Sequence, residues 1–89
     1  MIHTRVTISN KLGLHARASA KLSKLAGSFP CEVWLTRNDR RVNAKSIMGV
    51  MMLAAPQGAT LTVSDDGADE QEAVKAMLDL FASGFGELG

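Results

Sequence analysis

The segment Gly13-Leu14-His15-Ala16-Arg17 combines a nucleophile with a permanent cation inside five residues. An imidazole can attack an electrophilic phosphorus, carbon or metal through an uncharged ring nitrogen. A guanidinium two residues away presents a planar fork that binds two oxygens of a phosphoryl or carboxylate group. Phosphoryl transfer needs mainly positioning and electrostatic stabilisation, so a small surface site of this kind could suffice. A histidine near a helix end is also commonly a cap or a surface residue. From position alone both readings stand.

The elements around this segment place His15 at a helix entrance. Thr4, Val6 and Ile8 alternate with Arg5 and Thr7, which is the period of a half-buried strand. Ser9-Asn10-Lys11-Leu12-Gly13 breaks that strand with turn-prone residues. From Ala16 to Ala26 the period becomes helical, with Ala18, Leu22, Leu25 and Ala26 on one face and Gly27 as the stop. His15 then lies at or just before a helix N-terminus. The first-turn N–H groups there, of Ala16 and Arg17, lack intrahelical partners and can hold an anion. The positive end of the helix dipole favours the neutral, nucleophilic ring.

The rest of the chain alternates in the same way. Cys31, Val33 and Leu35 mark a second strand, Asn38-Asp39 a tight turn, and Arg41 to Ala44 a return strand. Ser46 is a good N-cap for a short helix over Ile47 to Leu53, which Pro56-Gln57-Gly58 ends. Ala59, Leu61 and Val63 mark a fourth strand, and Asp65-Asp66-Gly67 turns the chain. Asp69 and Glu72 have the spacing of a capping box. Ala73, Met77, Leu80 and Phe81, with Val74 and Leu78 beside them, predict a last helix ending at Gly84. The order βαββαβα predicts an α+β fold, a four-stranded antiparallel sheet with three helices on one face, in a single domain over 1–89.

Composition narrows the function classes. The chain has 89 residues and a net charge of +1, so no global field points to nucleic acid or a membrane. Its single cysteine, Cys31, cannot form an internal disulfide and reads as a core residue in a reducing compartment. The longest apolar run, Ile47 to Ala55, is about half the roughly 20 residues that span a bilayer. No signal-peptide core follows Met1, so a cytoplasmic location is expected. His3 has no second histidine or cysteine at ligand spacing, so no metal is expected. An RNA-binding sheet would need stacking aromatics, and Trp34 is the only aromatic on a predicted strand. Residues 84–89 spell a dinucleotide-binding glycine pattern, but no strand precedes it.

Two surface features complete the reading. Arg17, Lys21 and Lys24 share one helix face, either a solvated stripe or a steering surface for an acidic partner. Ile47, Met48, Met51 and Met52 cluster on the short helix. Half of them are expected in the core and one or two exposed, where methionine suits a surface that fits several partners.

Asn10 to Ser19 resembles the active-site segment of the HPr family, the phosphocarriers of the bacterial phosphoenolpyruvate-dependent phosphotransferase system. Ala44-Lys45-Ser46-Ile47-Met48-Gly49-Val50 is similar to the family's second motif, around a regulatory serine. Gln57-Gly58 and Asp69 to Ala73 extend the likeness along essentially the whole chain. The resemblance implies an open-faced β-sandwich without cofactor. It implies that His15 accepts a phosphoryl group at Nδ1 from phosphorylated enzyme I and passes it to EIIA-type domains, with Arg17 assisting. The chain would then be a stoichiometric intermediate rather than a classical enzyme. It would serve sugar uptake or nitrogen-linked regulation, as a monomer. Ser46 would be a phosphorylation site for an HPr kinase/phosphorylase, and Ile47 and Met48 would meet partners; Met51 and the Lys21 and Lys24 stripe are expected to join that surface from their spacing. The alternative is an HPr-like regulatory module controlled at Ser46. Where the family usually has a proline after the arginine, this chain has Ala18, which keeps its N–H in the first helical turn.

Overall fold

In the computed structural model, which describes residues 1–87, the chain runs β1 Ile2–Thr7, α1 Ala16–Gly27, β2 Glu32–Arg37, β3 Arg40–Asn43, α2 Ile47–Met52, β4 Thr60–Asp66 and α3 Glu70–Ala82. A 3-10 turn over Gly84–Gly86 follows. The expected βαββαβα order is the observed one. The last two residues of the expected domain, 88 and 89, lie outside the described residues, and so does the end of the glycine pattern they would complete.

The strands form one antiparallel sheet in the order β1-β4-β2-β3. β4 is central, with Val63 opposite Thr4 on one side and Leu35 on the other. Alternation turns Val6, Val33, Leu35, Leu61 and Val63 toward the helices, where they meet Ala18, Leu22, Ala26, Ala73, Met77 and Phe81 in one core. Leu22 is fully buried, which contributes about 1.5–3 kcal/mol of hydrophobic stabilisation. The other sheet face is open to solvent. It carries His3, whose Nδ1 lies 2.7 Å from Ser64 Oγ, and Trp34, with the Arg41 guanidinium 4.1 Å above its ring. His3 is a surface residue, and Cys31 is buried in the core, as their positions predicted.

Three local expectations fail. Asp65 and Asp66, expected to turn the chain with Gly67, are the last two residues of β4. The capping box does not form: Asp69 has φ 63° and ψ 24°, a left-handed conformation, and its side chain accepts no bond from the helix. A box requires an extended N-cap that turns its oxygen back to the first-turn N–H groups. The apolar residues of α2 also divide differently from the expectation. Ile47, Met48, Met51 and Met52 are all exposed, and only Val50 of that helix is buried. One turn and a half can press only one side against α1, and that side belongs to Val50, with Leu53 just beyond. Arg40 donates to Met52 O at 2.8 Å and Arg37 to Leu53 O at 3.1 Å, which fixes the C-terminal end of α2 to the β2–β3 hairpin.

Among the described residues Asp65 is the one ionisable side chain fully inside the core, and neither of its carboxyl oxygens has a partner there. Burial, reinforced by Glu70 nearby, pushes its carboxyl from 3.8 up to about 6. Between about pH 4 and 6 the folded chain therefore holds a proton that the unfolded chain has released. Stability contributed by this group is full below about pH 4 and is lost as pH rises through about 6, by at most roughly 3 kcal/mol. Asp65→Asn is expected to remove that slope, read as chemical unfolding midpoints between pH 4 and 7. An unchanged slope would show that the carboxyl is hydrated.

Candidate functional site

The β1–α1 loop is shaped by a glycine. Gly13 has φ +65°, and a Cβ there would lie 2.4 Å from Ala55 O and 2.9 Å from Pro56 Cα. Only glycine fits this approach without moving the α2–β4 connection. The neighbouring Leu14 is buried and donates its N–H to Ala55 O at 2.9 Å. These contacts hold the chain just ahead of His15.

His15 is the N-cap of α1, with extended backbone at φ −74° and ψ 179°. Its carbonyl accepts the Ser19 N–H at 2.9 Å, and its ring makes no capping bond to the helix. The N–H groups of Ala16, Arg17 and Ala18 precede the first bond of the helix ladder, so the helix supplies them no acceptor. Ala16 and Arg17 are exposed. Arg17 forms no ion pair or side-chain hydrogen bond among the described residues, so its guanidinium is available to an incoming anion. The first turn contains no acidic residue to compete for that place.

One partner of His15 has no counterpart in the sequence reading. Its Nε2 lies 2.9 Å and 3.0 Å from the two carboxylate oxygens of Glu87. The same carboxylate accepts from Asn10 Nδ2, 3.2 Å from each oxygen, and that amide also donates to Gly13 O at 2.8 Å. The hydrogen bond from His15, with help from Asn10 and Lys21, holds the Glu87 carboxyl below its ordinary range, so it is ionised near neutral pH. A carboxylate accepts only, so the proton in this hydrogen bond lies on His15 Nε2, and an uncharged ring then has its lone pair on Nδ1.

The tail reaches this place by an unusual route. Gly84, Phe85 and Gly86 have φ of 62°, 59° and 73°, three consecutive left-handed residues. Phe85 is not a glycine, and that conformation costs it about 1–2 kcal/mol. Its ring is 1% exposed and packs edge-on against Phe81 at 5.2 Å, which offsets the strain. Lys21 Nζ donates to Phe85 O at 2.7 Å. The structure thus places the Lys21 ammonium against the tail, where its spacing suggests a solvated stripe or a steering surface. Lys24 is exposed.

The second predicted site lies on α2. Ser46 is its N-cap, and its hydroxyl oxygen accepts the Gly49 N–H at 3.1 Å. The hydroxyl belongs to an exposed residue. Met48 is 71% exposed, beside exposed Ile47, Met51 and Met52. Leu12, 68% exposed in the loop before His15, is a further apolar surface residue, in a segment whose sequence signals only a turn.

The sequence matches the family model described as the PTS HPr component phosphorylation site over residues 2–83. The chain is 62% identical over 87 residues to the phosphocarrier protein HPr of Cupriavidus necator, covering 98% of each chain. It is 55% identical to that of Neisseria meningitidis serogroup A, again with 98% of each chain covered. The crystal structure of HPr-C-His from Thermoanaerobacter tengcongensis superposes with a TM-score of 0.96 at 44% identity, with both chains fully covered. Helix entrance, free first-turn amides and sheet order thus coincide with a likeness spanning nearly every residue, and the chain belongs to the HPr family of phosphotransferase-system phosphocarriers.

Proposed function

We propose that His15 Nδ1 is the atom that carries the phosphoryl group in this phosphocarrier, with Arg17 and the N–H groups of Ala16 and Arg17 as its anion-binding frame. The observation that carries this reading is the pairing of a ring whose Nε2 is held by Glu87 with a helix mouth whose first amides have no internal acceptor. In the forward step, the Nδ1 lone pair forms a bond to phosphorus. The phosphorus–nitrogen bond of the donor phosphohistidine breaks, and its electron pair stays on the donor nitrogen. The phosphoryl oxygens come to rest near the amides and the guanidinium. The acceptor step runs the same exchange onto the next protein.

The family points to enzyme I as donor and EIIA-type domains as acceptors. Exposed Ile47, Met48 and Met51 supply an adaptable apolar docking surface, and Lys24 a cationic point at its rim, beside the tail-bound Lys21. Ser46 is the regulatory position: a phosphate there would sit at a helix N-terminus, where negative charge is favourable, and would repel acidic partners. No helix among the described residues is long and apolar enough to cross a membrane. The family is the ground on which we assign cytoplasmic enzymes as the partners.

The test is to phosphorylate the 15N-histidine-labelled chain with enzyme I and phosphoenolpyruvate and to read which nitrogen couples to phosphorus. Coupling to Nδ1 of His15 is expected. Coupling to Nε2, or to a nitrogen of His3, would overturn the assignment.

A further inference from the structure

From the contact between Glu87 and the His15 ring, we infer that the C-terminal strap, residues 84–87, is a positioning device that selects the reacting nitrogen. This inference rests on the reading of His15 as the phosphoryl acceptor.

The histidine and the glutamate are 72 residues apart in the chain, yet both carboxylate oxygens lie within hydrogen-bond distance of one ring nitrogen. The carboxylate is itself held. Asn10, only 4% exposed, donates to both oxygens and to the loop carbonyl of Gly13. The strap that delivers the carboxylate is fastened at two points, by the buried Phe85 ring and by Lys21 on the Phe85 carbonyl. A free tail would not adopt three successive left-handed residues, one of them phenylalanine. The strain is sustained because the surrounding contacts determine this path.

Two consequences follow for the reaction. Before transfer, Glu87 fixes the proton on Nε2 and so keeps the lone pair on Nδ1, the nitrogen left to face the incoming phosphorus. The ring is also held in one orientation, which removes a rotational search from the encounter. After transfer, the ring bears a proton on Nε2 and phosphorus on Nδ1, and it is formally cationic. Glu87 is then its counter-charge, and no proton needs to move in either direction. Glu87 never touches the phosphoryl group, so it is a positioning residue.

Three proteins test this: the wild type, Glu87→Ala and Glu87→Gln. Ring 15N shifts are recorded without any phosphoryl donor, and phosphoryl acceptance is timed separately. In the wild type, Nδ1 is expected to be fully pyridine-like and Nε2 pyrrole-like. Glu87→Ala is expected to average the two shifts and to slow acceptance about tenfold, the scale of one lost charge-assisted hydrogen bond. Glu87→Gln keeps an acceptor oxygen but not the charge, so the wild-type shifts should return while the rate recovers in part. Identical shifts and rates in wild type and Glu87→Ala would overturn the inference. So would a slower Glu87→Ala with unchanged shifts, because the carboxylate would then act on docking. Because the shifts need no donor, they test the strap even if phosphorus is found on another residue.

Discussion

His15→Ala is expected to take up no acid-labile, base-stable phosphoryl label from enzyme I and phosphoenolpyruvate. The other histidine cannot substitute. His3 is on the open sheet face, which the helices do not cover, with its Nδ1 engaged with Ser64 Oγ at 2.7 Å. The loss should be chemical and not conformational. His15 is an N-cap by its backbone alone, with no side-chain capping bond to lose. Its ring is partly exposed, and the Glu87 carboxylate it leaves behind keeps Asn10 as a partner. Thermal unfolding should therefore shift by a few degrees at most. The informative control is His3→Ala, which should label as the wild type does. Label persisting in His15→Ala would move the acceptor to another residue. A collapsed fold would instead show that the ring is structural.

Some of this site could be read from one dimension and some could not. The helix entrance at His15 is a local matter: period two up to Ile8, turn residues to Gly13, period 3.6 from Ala16. Local signals of that kind survive folding, and the observed α1 begins where the period changes. The Ser46 cap is equally local and equally legible. Asp69 shows the limit of such signals. Its spacing to Glu72 satisfies the capping pattern, but the turn leaving β4 delivers it in a left-handed conformation that its side chain cannot cap from. Ile47 to Leu53 is apolar all round, so periodicity cannot say which side is covered; only the position of α1 decides that Val50 is.

Glu87 could not have been found by any local rule. Its relation to His15 depends on the length of α3, the register of β4 and the burial of Phe85, each set by tertiary packing. The glycines on either side of Phe85 were the available hint, since both adopt positive φ. As a dinucleotide-binding pattern they carried no meaning. As a left-handed turn they aim the tail at the nucleophile. Lys21 follows the same logic: spacing puts it on the helix face of Arg17 and Lys24, and the fold then spends its ammonium on Phe85 O.

Arg17→Ala is expected to slow phosphoryl transfer by about 10²-fold, within the 10²–10³ range typical of removing one preorganised anion-binding donor. The phosphoryl group carries negative charge spread over three oxygens as it moves between nitrogens, and the free amides of the first turn can meet only part of it. Arg17 is exposed and makes no ion pair among the described residues, so its guanidinium is free for this task. Alanine is at least as good a helix former, so stability should be unchanged. Arg17→Lys separates charge from geometry: a lysine restores the positive charge but not the two-pronged fork, and should recover only part of the rate. Salt then separates local binding from steering. If Arg17 merely attracts an acidic partner from a distance, the gap between wild type and Arg17→Ala should close at 1 M salt, where the screening length is about 3 Å. If the guanidinium holds the transferring group in contact, most of the gap should remain. Equal rates at low salt would leave the amides of Ala16 and Arg17 as the whole of the anion site.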